Sequence, residues 1–146
     1  MGEEAQRFEL HPALAADCTL VGDLPLCRVL LMRDSNYPWL ILVPRRDGLR
    51  ELHELAEPDL AQFWRESTLV SRALQQHFRA DKLNVAALGN VVEQLHVHHI
   101  VRYHSDCAWP RPVWGVVPAR PYAETQLDEL CATLRSLFGI DQGLSA

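Results

Sequence analysis

Gln94-Leu95-His96-Val97-His98-His99-Ile100-Val101-Arg102-Tyr103 is the stretch on which the rest of the chain depends. At the two-residue period of a strand, Gln94, His96, His98, Ile100 and Arg102 fall on one face and Leu95, Val97, His99, Val101 and Tyr103 on the other. The β-branched residues favour a strand over a helix. A row of two imidazoles, an amide and a guanidinium would need a partner for every polar group if it were simply packed away. The pattern therefore predicts a site.

Immediately upstream, Lys82 to Gly89 predicts a strand that turns at Gly89-Asn90 and rejoins the histidine strand through Val91-Val92-Glu93. A tight hairpin of this kind sets Asn84, Gly89 and Asn90 close to His96. Glycine permits positive φ and close approach of a ligand, and clustered main-chain N–H groups suit a phosphate.

Further back, apolar residues recur at three- and four-residue intervals from Leu60 to Phe78, which predicts a long helix opened by Pro58 and Asp59. Trp64 and Leu69 belong to its apolar stripe, and Gln62, Arg65 and Glu66 to its solvated side. Cys18–Leu26 with a turn at Gly22–Pro25, Cys27–Met32 and Trp39–Pro44 read as an antiparallel meander. The turn before Trp39 carries Asp34 and Asn36, which either close an Asx-turn or bind hydroxyls. Pro12 opens a short helical turn, with His11 as its cap or a surface residue.

Downstream, Trp109 and Trp114 lie in a proline-rich loop and are expected to pack on the sheet, on a base ring or across a subunit interface. Thr125–Phe138 has helical spacing and Gly139 stops it. The fold class is α+β: about five antiparallel strands, a long middle helix and a C-terminal helix. We expect a single domain over residues 1–146, with its core at about 20–115 and the last helix at about 122–138.

The chain has 146 residues, 48% of them hydrophobic and 23% charged, enough to bury a sizeable core. A formal charge of −5 opposes sequence-independent binding to nucleic acid, which needs a basic face. No run is long enough to span a membrane. The N-terminal residues lack the apolar core of a signal peptide, and four scattered cysteines read as reduced thiols, so a cytoplasmic location is expected.

Three chemistries compete for the histidines: filling a polar sheet face, holding zinc together with His104 or Cys107, or nucleophilic attack on phosphorus. Zinc is disfavoured because His98 and His99 point to opposite faces and no carboxylate stands nearby to complete a set. Attack by a neutral imidazole requires an acceptor for its remote N–H and donors for the phosphate oxygens, and the hairpin provides both kinds of group.

Gln94-Leu95-His96-Val97-His98-His99-Ile100 resembles the His-φ-His-φ-His-φ-φ signature of the histidine triad (HIT) superfamily, and Asp34 to Pro44 is similar to that family's turn and Leu-Val-x-Pro strand. The resemblance covers about residues 20–115. It implies a HIT-like fold and a nucleotide hydrolase or nucleotidyl transferase. Such an enzyme acts at the α-phosphate of a dinucleoside polyphosphate, nucleoside phosphoramidate or similar nucleotide, through a covalent nucleotidyl-histidine, and works as a homodimer. No cofactor is required, a divalent metal accompanying the nucleotide being compatible with the reading. Carried over by position, His96 is the nucleophile and His98 the phosphate-binding third histidine. Asn84 and Gly89, with Asn90 beside them, belong to the phosphate pocket. Asp34 matches the residue that binds the ribose hydroxyls, with Asn36 its rival. Gln94 stands where the first histidine normally is and cannot act as an ionising acid, although its carbonyl can orient His96. His99 replaces an apolar residue and is expected under a helix. The alternative is a non-enzymatic nucleotide-binding or scaffold protein with a degenerate triad.

Overall fold

The computed structural model describes residues 8–140. In chain order these form helix α1 (Pro12–Asp17), strands β1 (Cys18–Asp23), β2 (Cys27–Met32) and β3 (Trp39–Pro44), and a 3-10 turn at Leu52–Glu54. Helix α2 (Glu57–Phe78), strands β4 (Lys82–Ala86) and β5 (Val97–Arg102), and helix α3 (Glu124–Phe138) follow. The strands build one antiparallel sheet in the order β1-β2-β3-β5-β4, the α+β architecture expected.

Alternation along the central strands sorts the core into two layers. Leu40 and Leu42 of β3, with Val97 and Val101 of β5, face α2 and α3 and pack with Phe63, Val70, Leu74, Leu134 and Phe138. Trp39, Ile41 and Val43, with Ile100, face the other way and pack with Tyr37, Ala108 and Val113. The proline- and tryptophan-rich loop thus covers the second face of the sheet.

The buried stripe of α2 is narrower than its sequence suggests. Trp64 and Leu69 are 49% and 43% exposed, whereas Glu66 is only 3% exposed. Glu66 accepts hydrogen bonds from the backbone N–H groups of Leu26 and Cys27, both at 2.8 Å, and from Gln62 Nε2 at 2.6 Å. The carboxylate ties the helix to the start of β2, satisfying donors that burial would otherwise strand. Gly22 also departs from expectation, because it lies inside β1 at a bulge and not in the turn. A Cβ there would sit 2.5 Å from Ile140 Cγ2, so the glycine lets the chain leaving α3 approach the strand. Gly139 ends α3 in the left-handed conformation (φ 68°), as predicted.

The β4–β5 connection is not a tight hairpin. Regular pairing stops at Ala86–His98, and residues 87–96 form an irregular excursion. Gln94, Leu95 and His96 therefore precede the strand, and only Val97–Arg102 are in it.

Candidate active site

His96 sits where the irregular segment enters β5, and its ring folds back on its own chain. Nδ1 lies 2.7 Å from the carbonyl oxygen of Gln94. A carbonyl only accepts, so Nδ1 carries the hydrogen and Nε2 holds the lone pair. Nε2 has no hydrogen-bond partner among the described residues, and it is not among the buried unpaired atoms, so it is open to an incoming group. Burial lowers the His96 pKa, the Gln94 carbonyl opposes this, and the charge of His11 lowers it further; the net shift is below the ordinary 6.5.

His98, the next residue on this face, has its ring centroid 5.0 Å from that of His96. Trp39 Nε1–H donates to its Nδ1 at 3.0 Å, which leaves the hydrogen on Nε2. That N–H points to the carbonyl of Leu88 at a long 3.3 Å. His98 is thus a neutral ring, fixed by a tryptophan, that steadies the segment leading into Gly89. Trp114 meets both Trp39 (5.8 Å) and His98 (5.0 Å) edge-on, so this indole packs on the histidine face of the sheet.

Gly89 is close to His96: a Cβ on it would lie 3.7 Å from His96 Cε1 and 2.9 Å from the carbonyl oxygen of Val92. Its φ is not among the positive ones, so the glycine serves close approach and not left-handed geometry. Asn90, exposed, lines with Gly89, Arg50 and Glu93 a polar cavity of about 370 Å³. Asn84 lies further along β4, opposite Ile100, and its Oδ1 accepts from Arg102 Nη1 at 2.7 Å.

Arg102, read from the sequence as part of the polar row, is a buried structural cation. Its Nε and Nη2 donate to both oxygens of Asp106 at 2.8 and 3.0 Å, with the two side chains 2% and 4% exposed. The guanidinium also lies over Tyr37 and Trp109, 5.8 and 5.6 Å from the ring centroids.

Asp34 closes the turn and leaves one oxygen free. Its Oδ1 accepts from the backbone N–H of Asn36 (3.0 Å), from Asn36 Nδ2 (2.8 Å) and from the backbone N–H of Arg120 (3.2 Å). Oδ2 makes no hydrogen bond among the described residues, and Asp34 lines a cavity of about 300 Å³ with Arg33, Trp39, Val113 and Trp114. Asn36 uses its amide on Asp34 and on the carbonyl of Pro118, which makes it a turn residue.

Gln94 was expected to share the histidine row, but its side chain is turned to the N-terminal segment. Oε1 accepts from the backbone N–H of His11 and Nε2 donates to the carbonyl of Glu9, both at 2.8 Å. Nothing in local spacing announces a partner more than 80 positions away. His99 is buried on the helix face: its Nδ1–H donates to the carbonyl of Val97 at 3.1 Å, so Nε2 accepts from the Ser67 hydroxyl at 2.7 Å. Among the described residues no group of three or more His, Cys, Asp or Glu side chains is arranged to hold a metal ion.

His98 and His99 are both held near pKa 4, mainly by burial; the neighbouring His96 adds to the shift of His98, and backbone carbonyls oppose it at both. The unfolded chain binds these protons near pH 6.5, so stability is full above that pH and is lost as pH falls toward 4. The expected loss is roughly 3 kcal/mol per histidine, most of it complete by pH 5. Urea unfolding at pH 7 and pH 5 measures this, and equal midpoints would contradict it.

The chain thus presents an open antiparallel sheet with individually fixed histidines beside a close-approach glycine. The HIT domain model matches residues 13–105, and the chain belongs to the HIT family. Its structure is similar to that of a histidine triad protein from Marinobacter aquaeolei VT8, with TM-score 0.88, 50% identity, and coverage of 90% of this chain and 96% of the other. It is also similar to histidine triad proteins from Bradyrhizobium japonicum (TM-score 0.87, 48% identity, 90% and 98% covered) and Sinorhizobium meliloti 1021 (TM-score 0.88, 41% identity, 90% and 98% covered). A search of curated proteins gives no match. Members of the HIT family are usually nucleotide hydrolases or transferases. No helix among the described residues is long and apolar enough to cross a membrane.

Proposed function

We propose that this chain is a nucleotide hydrolase or nucleotidyl transferase in which His96 Nε2 attacks the α-phosphorus of a dinucleoside polyphosphate, a nucleoside phosphoramidate or a similar nucleotide. The observation that carries the reading is the 2.7 Å bond from His96 Nδ1–H to the Gln94 carbonyl, which leaves the nucleophilic lone pair on the open nitrogen. The main chain at Gly89 and Asn90 lies on the phosphate side, with Asn84 oriented by Arg102 to present its amide. The cavity lined by Trp39 and Trp114 takes the nucleoside, and the free oxygen of Asp34 accepts from a ribose hydroxyl. The neutral imidazole displaces the leaving group, forming a nucleotidyl-histidine that stays bonded through Nδ1–H, and water then releases the nucleotide. We take the chain as a single domain, a cytoplasmic homodimer that needs no resident cofactor.

Non-enzymatic nucleotide binding is the second reading. One observation favours it: both ends of the Gln94 amide are engaged by Glu9 and His11, so this side chain offers nothing to a leaving group. AMP binding with no turnover of any candidate substrate, before or after Gln94→His, would establish it.

Protonated His96 cannot attack, and its pKa lies below 6.5. The rate kcat/KM is therefore expected to be level through pH 7 and to fall only in more acid solution, about tenfold per pH unit once below that pKa. An acid limb with an apparent pKa above 7 would contradict the assignment.

A further inference from the structure

Gln94 touches the nucleophile with its main chain and the N-terminal segment with its side chain. Its carbonyl receives the Nδ1 hydrogen of His96 at 2.7 Å, while Oε1 accepts from the backbone N–H of His11 and Nε2 donates to the carbonyl of Glu9, both at 2.8 Å. The peptide that carries this carbonyl lies in the irregular segment before β5, outside the sheet ladder. Among the described residues its main-chain tie is the Leu95 N–H, on the opposite edge of the same trans peptide, which donates to the carbonyl of Leu49 at 2.9 Å. One such bond leaves the peptide free to rock about its N–H···O axis, and a rocking carbonyl loses the angle at which it holds the ring. The Gln94 amide supplies the second anchor. What it grips is itself fixed: Phe8 and Leu10 pack against the core layer of Ile41 and Ile100, the Arg28 guanidinium lies over the Phe8 ring at 5.6 Å, and the His11 carbonyl receives the Ala15 N–H at 3.1 Å as α1 begins.

We propose that the side chain of Gln94 is a positioning residue: by tying the Gln94-Leu95 peptide to the N-terminal segment, it keeps His96 in the tautomer and ring orientation that attack on phosphorus requires. The inference rests on His96 as the nucleophile. A neutral imidazole released from the carbonyl exchanges its hydrogen between the two nitrogens and turns about its side-chain bonds, and only the Nδ1–H form in this orientation presents the Nε2 lone pair. Gripping an N–H and a C=O together takes one acceptor and one donor, which a single amide presents at every pH. The two bonds that withdraw this side chain from a leaving group thereby serve the nucleophile, and residues 9–11 become part of the machinery that holds it.

The test uses Gln94→Met, which keeps the stem and the main-chain carbonyl but removes both amide bonds, and His11→Pro, which removes the N–H that Oε1 accepts. The φ of −55° at His11 suits proline. Because His11→Pro also removes the ring that caps α1, His11→Ala serves as its control, losing the ring and keeping the N–H. With adenosine phosphoramidate or diadenosine tetraphosphate, kcat is expected to fall roughly 10- to 50-fold in Gln94→Met and about 3- to 10-fold in His11→Pro, with KM and the Kd of AMP within about twofold of wild type. His11→Ala should lose less than about twofold, and Gln94→Met with His11→Pro should be no worse than Gln94→Met alone, because both break one tie. The 15N resonances of the His96 ring, one nitrogen protonated and one bare in the wild type, should move toward a mixture of tautomers in Gln94→Met. Unchanged kcat or unchanged ring resonances in Gln94→Met would overturn the proposal, as would losses that multiply in the double variant or equal losses in His11→Pro and His11→Ala. Turnover that survives His96→Asn, or is absent from the wild-type chain, defeats the nucleophile; the ring resonances then decide by themselves whether Gln94 holds His96.

Discussion

His96→Asn is expected to abolish turnover, lowering kcat/KM by at least about a thousandfold on any nucleotide substrate, because the covalent route disappears with the lone pair. Asparagine can still donate from its amide to the Gln94 carbonyl that now receives the His96 Nδ1 hydrogen, so the entry to β5 should hold. Mass analysis of wild-type protein quenched during turnover should find one nucleotidyl group on the peptide containing His96, stable in base and labile in acid. In the variant it should be missing. Unchanged turnover, or an adduct on His98 in its place, would sink the assignment. His98 is a poor substitute by geometry: one nitrogen accepts from Trp39 and the other points to Leu88.

The second large effect concerns folding. Arg102→Met keeps the length of the stem but removes the cation from a pair whose members are 2% and 4% exposed. Burial alone would raise the Asp106 pKa, but the Arg102 guanidinium and the backbone N–H groups of Tyr103 and Ala108 outweigh it, so the carboxyl stays below its ordinary range. Removing Arg102 leaves that carboxylate buried without its countercharge, at a cost of about 3–5 kcal/mol. Asp106 also accepts from the backbone N–H of Trp109, at 2.8 Å, so the loss loosens the loop that covers the second face of the sheet. Urea denaturation gives the free energy directly. A loss under about 1 kcal/mol would show the pair to be dispensable. Arg102→Met combined with Asp106→Asn should recover part of the loss, since the stranded charge is then gone.

Much of this architecture is legible in spacing. The two-residue period places His98 on one face of β5 and His99 on the other, and His99 does lie under α2 against Ser67. The recurrence from Leu60 to Phe78 and the stop at Gly139 mark helices because each records a local backbone requirement. Glu66 escaped the same reading because a carboxylate can be buried wherever a strand end offers it N–H groups, and periodicity cannot list a helix's distant donors.

The site divides in the same way. The sequence by itself determined that His96 and His98 point to one side of the chain, since alternation is a local fact, whereas the structure places His96 ahead of β5 and brings Gly89 to it by an irregular excursion in place of a tight hairpin. Only the tertiary structure decided which nitrogen of each ring is free, that Trp39 fixes His98, that Arg102 belongs to Asp106 and Asn84, and that Gln94 clamps Glu9 and His11. Those outcomes depend on hydrogen-bond direction between groups brought together across the sheet, and direction in space is not carried by position along a chain.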